Sequence, residues 1–351
     1  ASALCNLCSE ERHIGPLVEH GCIPELVALM SRPELSLKKL AVASLRHLSA
    51  SSDTFRCAVV DKGLSPVVKC ANIVDDGICL QVVGLFANLS SCEDCHADLI
   101  SRSIVPALIT LSRTEDSAIL KECSRTFANL CSNEQFQFIV YRQGGLNCLF
   151  TPFRFWEDED CHRYAATALR LLVSHAKVKK AVSSNRKILE QFVSMTKHRF
   201  PLHQRSATST IASLSLSRDF QTALASSDSF KHLLNLLHHA DYLIQRDAIF
   251  IVANIAEETD LHEELNRWHG AQMLADTNPV NGDVKTVRNL ARALSCLASN
   301  IDSRKHLAQN QATMSRLLKY SRSSDLVTQR YASLSLSNLF LGKQKLEVMQ
   351  A

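Results

Sequence analysis

Apolar residues in this chain fall into columns when the sequence is wrapped at a period of 41 or 42. Nine successive copies place Leu, Phe, Ile or Val two residues before a central position and Leu or Ile one residue after it. The centres are Asn6, His47, Asn88, Asn129, Leu171, Ser213, Asn254, Cys296 and Asn338. Six before the centre stand Ala41, Val82, Cys123, Ala165, Ala207, Ala248, Leu290 and Ala332, while the third position before mixes Ala, Ser, Thr, Leu and Ile. Apolar positions at −6, −2 and +1 trace one face of a 3.6-residue helix, and mostly small residues at −3 let neighbouring helices approach. A strand would need alternation with period two, and none is present.

A second column lies about half a repeat away. Gly21-Cys22-Ile23-Pro24, Gly63-Leu64-Ser65-Pro66 and Ser103-Ile104-Val105-Pro106 share it, with Gly144, Asn185, Asp228, Gly270 and Asn310 at its first position elsewhere. Gly, Asn and Asp tolerate the positive φ found just past a helix end, and Pro suits the first turn of the next helix. Each copy is thus predicted to hold a short first helix, a second starting near the Pro and a longer third carrying the apolar phrase.

Gly21 to Leu29 (Gly-Cys-Ile-Pro-Glu-Leu-Val-Ala-Leu) and Phe86 to Ser90 (Phe-Ala-Asn-Leu-Ser) resemble the armadillo repeat. That pattern couples a Gly-x-Ile-Pro-x-Leu-Val-x-Leu turn and second helix to a third helix ending in Ala-Leu-x-Asn-Leu-Ser. The resemblance covers essentially the whole chain, with degenerate copies near 174–215 and 257–298. It implies an all-α fold, a right-handed superhelical solenoid of about eight three-helix repeats with partial repeats at both ends. Because a solenoid extends one core continuously, residues 1–351 read as a single domain. The repeats are drawn at 9–49, 50–90, 91–131, 132–173, 174–215, 216–256, 257–298 and 299–340. Residues 1–8 are then the tail of an earlier third helix and 341–351 the start of a further first helix. The chain begins without Met and in mid-repeat, so a piece of a longer solenoid is expected.

The resemblance is specific for fold and not for function, since armadillo proteins include nuclear-import adaptors, adhesion and signalling scaffolds, vacuolar tethers and flagellar proteins. It implies that third helices line a concave groove and that the central residue faces it. His47, Asn88, Asn129, Asn254 and Asn338 are groove candidates on this basis. An Asn amide both donates and accepts, so repeated Asn residues can hold the backbone of an extended peptide; the alternative is that Asn caps its own helix or bridges to the next repeat. Eight residues before the centre runs a basic column of Lys39, Lys121, Arg163, Arg205, Arg246, Arg288 and Arg330, interrupted by Leu80. At about 100° per residue it emerges about 80° from the centre, on the groove's flank. Its five successive Arg offer forked donors for carboxylates or phosphates. Glu122 and Asp247 stand beside two members, so ion pairs between repeats are the competing use.

Nuclear-import adaptors pair each groove Asn with a Trp one turn earlier. Here that position holds Ser2, Ala43, Gly84, Arg125, Thr167, Ser209, Phe250, Arg292 and Leu334, and neither Trp156 nor Trp268 falls on it. A basic cargo would also be repelled by the basic column. The likeness is therefore to the adhesion-and-signalling, vacuolar or flagellar type.

The thirteen Cys fall at core columns or helix ends without framework spacing. They read as buried thiols in a reducing compartment, the cytoplasm with nucleus or cytoskeleton as variants. No run of 18 apolar residues exists, so no membrane span is expected. A formal net charge of +4 over 351 residues is weak support for nucleic-acid binding. No phosphate loop, paired metal-binding His or local nucleophile signature occurs, so the sequence predicts no enzyme, cofactor or metal. Cys92-Glu93-Asp94-Cys95-His96 has the spacing of covalent haem attachment. It sits where a third helix gives way to the next first helix, without a second haem-pocket feature. Zinc would need two more ligands, and Cys5 and Cys8 lie two repeats away. A structural role is expected there. Three irregular stretches stand out, the aromatic and acidic Phe150 to Asp160, its basic counterpart Lys197 to Pro201 one repeat later, and the turn-rich Asn278 to Asp283; the first two are expected to pair across the ridge, with a second contact site as the alternative.

These features point to a non-enzymatic protein-binding scaffold that grips an extended, acidic or phosphorylated segment in its groove. A structural or tethering protein using its convex face and ends is the alternative. Binding of nucleic acid or anionic lipid is more remote.

Overall fold

The apolar phrase lies on a helix in every copy. The computed structural model describes the backbone of residues 2–155, 158–280 and 282–350, and their side chains except 154, 155 and 341–350. Trp156, Glu157 and Asn281, singled out within the irregular stretches, lie outside the described residues. Among the described residues all regular structure is helical and no strand occurs. The chain divides into two units, residues 1–178 and 179–351.

In the first unit the phrase-bearing helices are α1 (Ser2–Cys8), α2 (Leu35–Ser51), α3 (Asp76–Leu89), α4 (Ser117–Ser132) and α5 (Glu159–Ser174), each packed on the next. In the second they are α6 (Pro201–Leu214), α7 (Tyr242–Ala256), α8 (Val284–Ser299) and α9 (Leu326–Gln350), again stacked in order. Two shorter helices precede most of them, as Glu11–Glu19 and Cys22–Met30 precede α2. The columns at −2 and +1 are the core: Leu45, Leu48, Phe86, Leu89, Leu130, Leu172, Ile211, Leu214, Val252, Ile255, Leu294 and Leu297 have no exposed surface. The hydroxyls at −3 are buried too, and each bonds back into its own helix, Thr126 to the Glu122 carbonyl at 2.7 Å and Thr210 to Ser206 at 2.8 Å.

The predicted turns divide by mechanism. Gly21, Ser103 and Gly144 take positive φ values of 79°, 65° and 95°, as expected. Asn185 and Asn310 stay extended and act as N-caps, accepting from the Ile188 and Thr313 amides. Near Gly270 the left-handed residue is His269, one position earlier. Gly63 departs further, because one continuous helix, Asp53–Cys70, runs through both Gly63 and Pro66 where a break is predicted. Gly63 is buried there, and a Cβ would meet Val27 Cγ2 at 3.4 Å and Leu45 Cδ1 at 3.7 Å. These are ordinary van der Waals separations, so Gly63 makes no turn and its place is within a continuous helix. Helix α9 likewise continues to Gln350, with no new first helix at 341.

Stacking short helices leaves many helix ends inside the protein, and a repeated device closes the C-terminus of six of the nine phrase-bearing helices. A side-chain donor eight or nine residues after the centre reaches back to the carbonyl two after it. Arg56 bonds Ser49, His96 bonds Ser90, Gln137 bonds Cys131, Gln221 bonds Ser215, His262 bonds Ala256 and Arg304 bonds Ala298, at 2.7–3.0 Å. These carbonyls would otherwise be orphans of the helix end. The His of the Cys-x-x-Cys-His string is one of these caps.

Replacing Leu89 or Leu130 by Ala opens a cavity in a site with no exposed surface, at an expected cost of roughly 2–5 kcal/mol. Denaturant titration checks this, and a loss well under about 1 kcal/mol would mean the site collapses around the vacancy.

Candidate functional site

The central Asn column bridges helices. Asn88 Nδ2 on α3 donates to the Arg46 carbonyl at 3.1 Å and Ser49 Oγ at 3.2 Å on α2. Asn129 on α4 repeats this toward Ser90 Oγ at 3.1 Å and the Ala87 carbonyl at 3.4 Å. Asn254 on α7 donates to Ser215 Oγ at 2.9 Å and is itself buried. The acceptor side of two of these amides is taken by arginines from the following helix, Arg125 to Asn88 Oδ1 at 3.2 Å and Arg292 to Asn254 Oδ1 at 2.8 Å. Arg125 and Arg292 occupy the position held by Trp in import adaptors. Each is also ion-paired, Arg125 with Glu122 at 2.7 Å and Arg292 with Glu257 at 3.0 Å, and Arg292 lies over the Phe250 ring. His47 is exposed and Asn338 half-buried.

The basic column reaches forward to acids. Lys121 and Arg163 converge on Asp160 at 2.8 and 2.9 Å. Arg205 pairs with Asp241, Arg246 with Asp247 at 2.9 Å and Arg288 with Asp325 at 2.7 Å. Lys39 covers Gly77 at the start of α3, and Arg330 is exposed with no ion pair among the described residues. Asp241 and Asp325 are N-caps, bonding the Leu243 and Ile244 amides and the Thr328 amide. One carboxylate thus closes a helix N-terminus and anchors the cation of the preceding helix. Asp75, Asp116, Asp158 and Asp283 cap their helices in the same way.

A signal for this was present and is missing from the sequence reading. Thirteen residues before the centre stand Glu34, Asp75, Asp116, Asp158, Asp241, Asp283 and Asp325, with Phe200 as the exception. The two columns, five residues apart in one repeat, meet between adjacent repeats at Arg205–Asp241 and Arg288–Asp325. The acidic stretch before α5 follows the same logic, with Asp158 as cap and Asp160 as ion-pair partner. In the turn-rich stretch, Gln245 clamps the loop through the Asn278 carbonyl at 2.9 Å and the Val280 amide at 2.7 Å.

Sequence reasoning also missed Cys57. It lies on Asp53–Cys70 and joins Cys92 and Cys95, the three sulfurs standing within 4.8 Å of one another.

No protein-family model matches the chain. The chain is similar to Vacuolar protein 8 of Komagataella pastoris, 28% identical over 181 residues, 49% of this chain and 31% of that protein. Similarity to Vacuolar protein 8 of Candida albicans is 30% over 131 residues, covering 35% of this chain and 22% of the relative. The Saccharomyces cerevisiae protein of the same name is 28% identical over 138 residues, covering 38% and 24%. The matches thus span less than a third of the length of these curated relatives. An engineered protein of known crystal structure superposes with a TM-score of 0.72 at 23% identity, over 96% of this chain and 83% of its own, which shows the fold alone. These likenesses fit an armadillo-type helical repeat protein.

The Arg288 guanidinium, and after it the Thr328 hydroxyl and amide, hold the Asp325 carboxyl well below the usual carboxylate range. A carboxyl depressed on folding contributes stability that is present above its unfolded value near ~3.9 and is lost as pH falls through the folded value. Asp325→Asn is therefore expected to lower the thermal midpoint at neutral pH, with the gap to the parent chain narrowing below about pH 4. An equal gap at pH 3 and pH 7 would remove the carboxylate's charge from the explanation.

Proposed function

We propose that this chain is a non-enzymatic protein-interaction scaffold of the armadillo type, a tether that joins partners without transforming them. The observation that carries the reading is the commitment of the third-helix polar groups. Asn amides, Arg guanidiniums and N-cap carboxylates serve the stacks themselves within each unit, so the recurrent chemistry is spread over many repeats and not concentrated at one point. Likeness to Vacuolar protein 8 supports the same class. No described helix is long and apolar enough to cross a membrane. The free thiols among the described residues support a reducing, cytoplasmic setting.

A second reading keeps the groove as a site for an extended acidic or phosphorylated segment. Its support is the exposure of the paired guanidiniums, whose side chains remain 50%, 44%, 40% and 40% exposed at Arg163, Arg205, Arg246 and Arg288. A guanidinium has five donors, and one Asp leaves some of them open. Against it stands the local charge balance in the second unit, where Arg205, Arg246 and Arg288 face Asp241, Asp247 and Asp325 one for one.

Changing Arg205, Arg246 and Arg288 together to Glu separates the two. Under the tether reading the unfolding midpoint falls, helicity is retained below it, and an oligoglutamate or multiply phosphorylated probe peptide binds neither form in fluorescence anisotropy. Saturable binding of that peptide by the parent chain would replace cohesion with groove recognition, if salt weakened it by screening over about 8–10 Å and the triple change abolished it at an unaltered midpoint.

A further inference from the structure

The turn after α3 and the helix Asp53–Cys70 bring together three thiols that neither the stack nor the scaffold role employs. Cys57 Sγ stands 3.7 Å from Cys95 Sγ. Cys92 and Cys95 are buried, and Cys57 is half-buried and so keeps a route to solvent. In a tetrahedral thiolate site with metal–sulfur bonds of ~2.3 Å, two sulfurs lie about 3.8 Å apart. The Cys57–Cys95 edge already has the length that a bound cation would set.

Local structure explains the arrangement. Cys92 precedes the single 3₁₀ turn Glu93–Cys95, and the Cys95 amide bonds the Cys92 carbonyl at 3.2 Å. That turn returns Cys95 to the side of Cys92, where Cys57 arrives from the preceding helix. His96 continues the string but is spent on the Ser90 carbonyl at 2.7 Å. The haem-like spacing therefore splits, His to a helix cap and both Cys to the cluster. Asp53, one turn before Cys57, is ion-paired with Arg56 at 2.5 Å and stands outside the thiol cluster.

We propose that Cys57, Cys92 and Cys95 bind a thiophilic divalent cation, zinc, with a solvent water reached past half-buried Cys57 completing the tetrahedron. Binding replaces three S–H protons by one cation and releases them to solvent, with no change of oxidation state. Three thiolates and Zn²⁺ leave a net charge of −1. Burial pushes the Cys92 and Cys95 thiols up, so protons compete well with metal and affinity falls as pH drops.

The test is a Co²⁺ titration of the full, reduced chain under anaerobic conditions. The expected result is thiolate-to-cobalt charge-transfer absorption with the intense visible bands of tetrahedral cobalt, saturating at one equivalent and bleached by Zn²⁺. Cys57→Ser and Cys95→Ser each abolish these bands, and Cys5→Ser and Cys8→Ser leave them unchanged. Zn²⁺ also shields Cys57, Cys92 and Cys95 from alkylation in the parent chain, a readout that holds even where a Ser variant does not fold. Absence of the bands, their survival in Cys57→Ser, or alkylation of the three thiols at the same rate with and without Zn²⁺ overturns the site.

Discussion

Helix ends govern this structure. A stack of short helices buries termini that a longer helix would leave in water, and each buried end carries amides or carbonyls without an intrahelical partner. Leaving one such group unpaired costs roughly 1–3 kcal/mol, so a stack that neglected them would not stand. The chain answers at both ends, with N-cap carboxylates such as Asp75, Asp116 and Asp241 and with C-terminal donors such as His96, Gln137 and Gln221. Hydrophobic burial at −2 and +1 supplies the attraction between helices. The polar devices decide where each helix stops and which neighbour it meets.

Much of this was legible in the sequence, unevenly. The apolar columns gave the third helices directly, because a residue that must be buried every 41 or 42 positions leaves the same chemical trace each time. Gly63 departs from its predicted turn because local sequence cannot tell a glycine needed for positive φ from one carried inside a continuous helix. For Asn88, Asn129 and Asn254 the residues allowed both a peptide-holding and a bridging role, and the bonds to Ser49, Ser90 and Ser215 are bridges. Cys57 was out of reach, since nothing in its spacing from Cys92 announces that Asp53–Cys70 runs unbroken and delivers it to the turn after α3.

The charge pattern shows why a column of one sign is an ambiguous signal. Seven basic residues at a fixed phase point to an anionic ligand, but five of them are ion-paired within the stack, Arg205 and Arg288 with the N-cap acids Asp241 and Asp325 of the next repeat and Lys121, Arg163 and Arg246 with Asp160 and Asp247. Asp241 and Asp325 each interact with their helix amides and with a guanidinium together, a stronger arrangement than an isolated surface pair, whose worth is small. His47 and Tyr242 stand outside these clips and are exposed.

The C-terminal clip is made by Arg, His or Gln in different repeats, because it asks only for one N–H at a set reach from the preceding carbonyl. Charge, aromaticity and size differ among these donors while the bond they make is the same. Such a chain can wander far in letters while its scaffold stays still, as a TM-score of 0.72 at 23% identity illustrates.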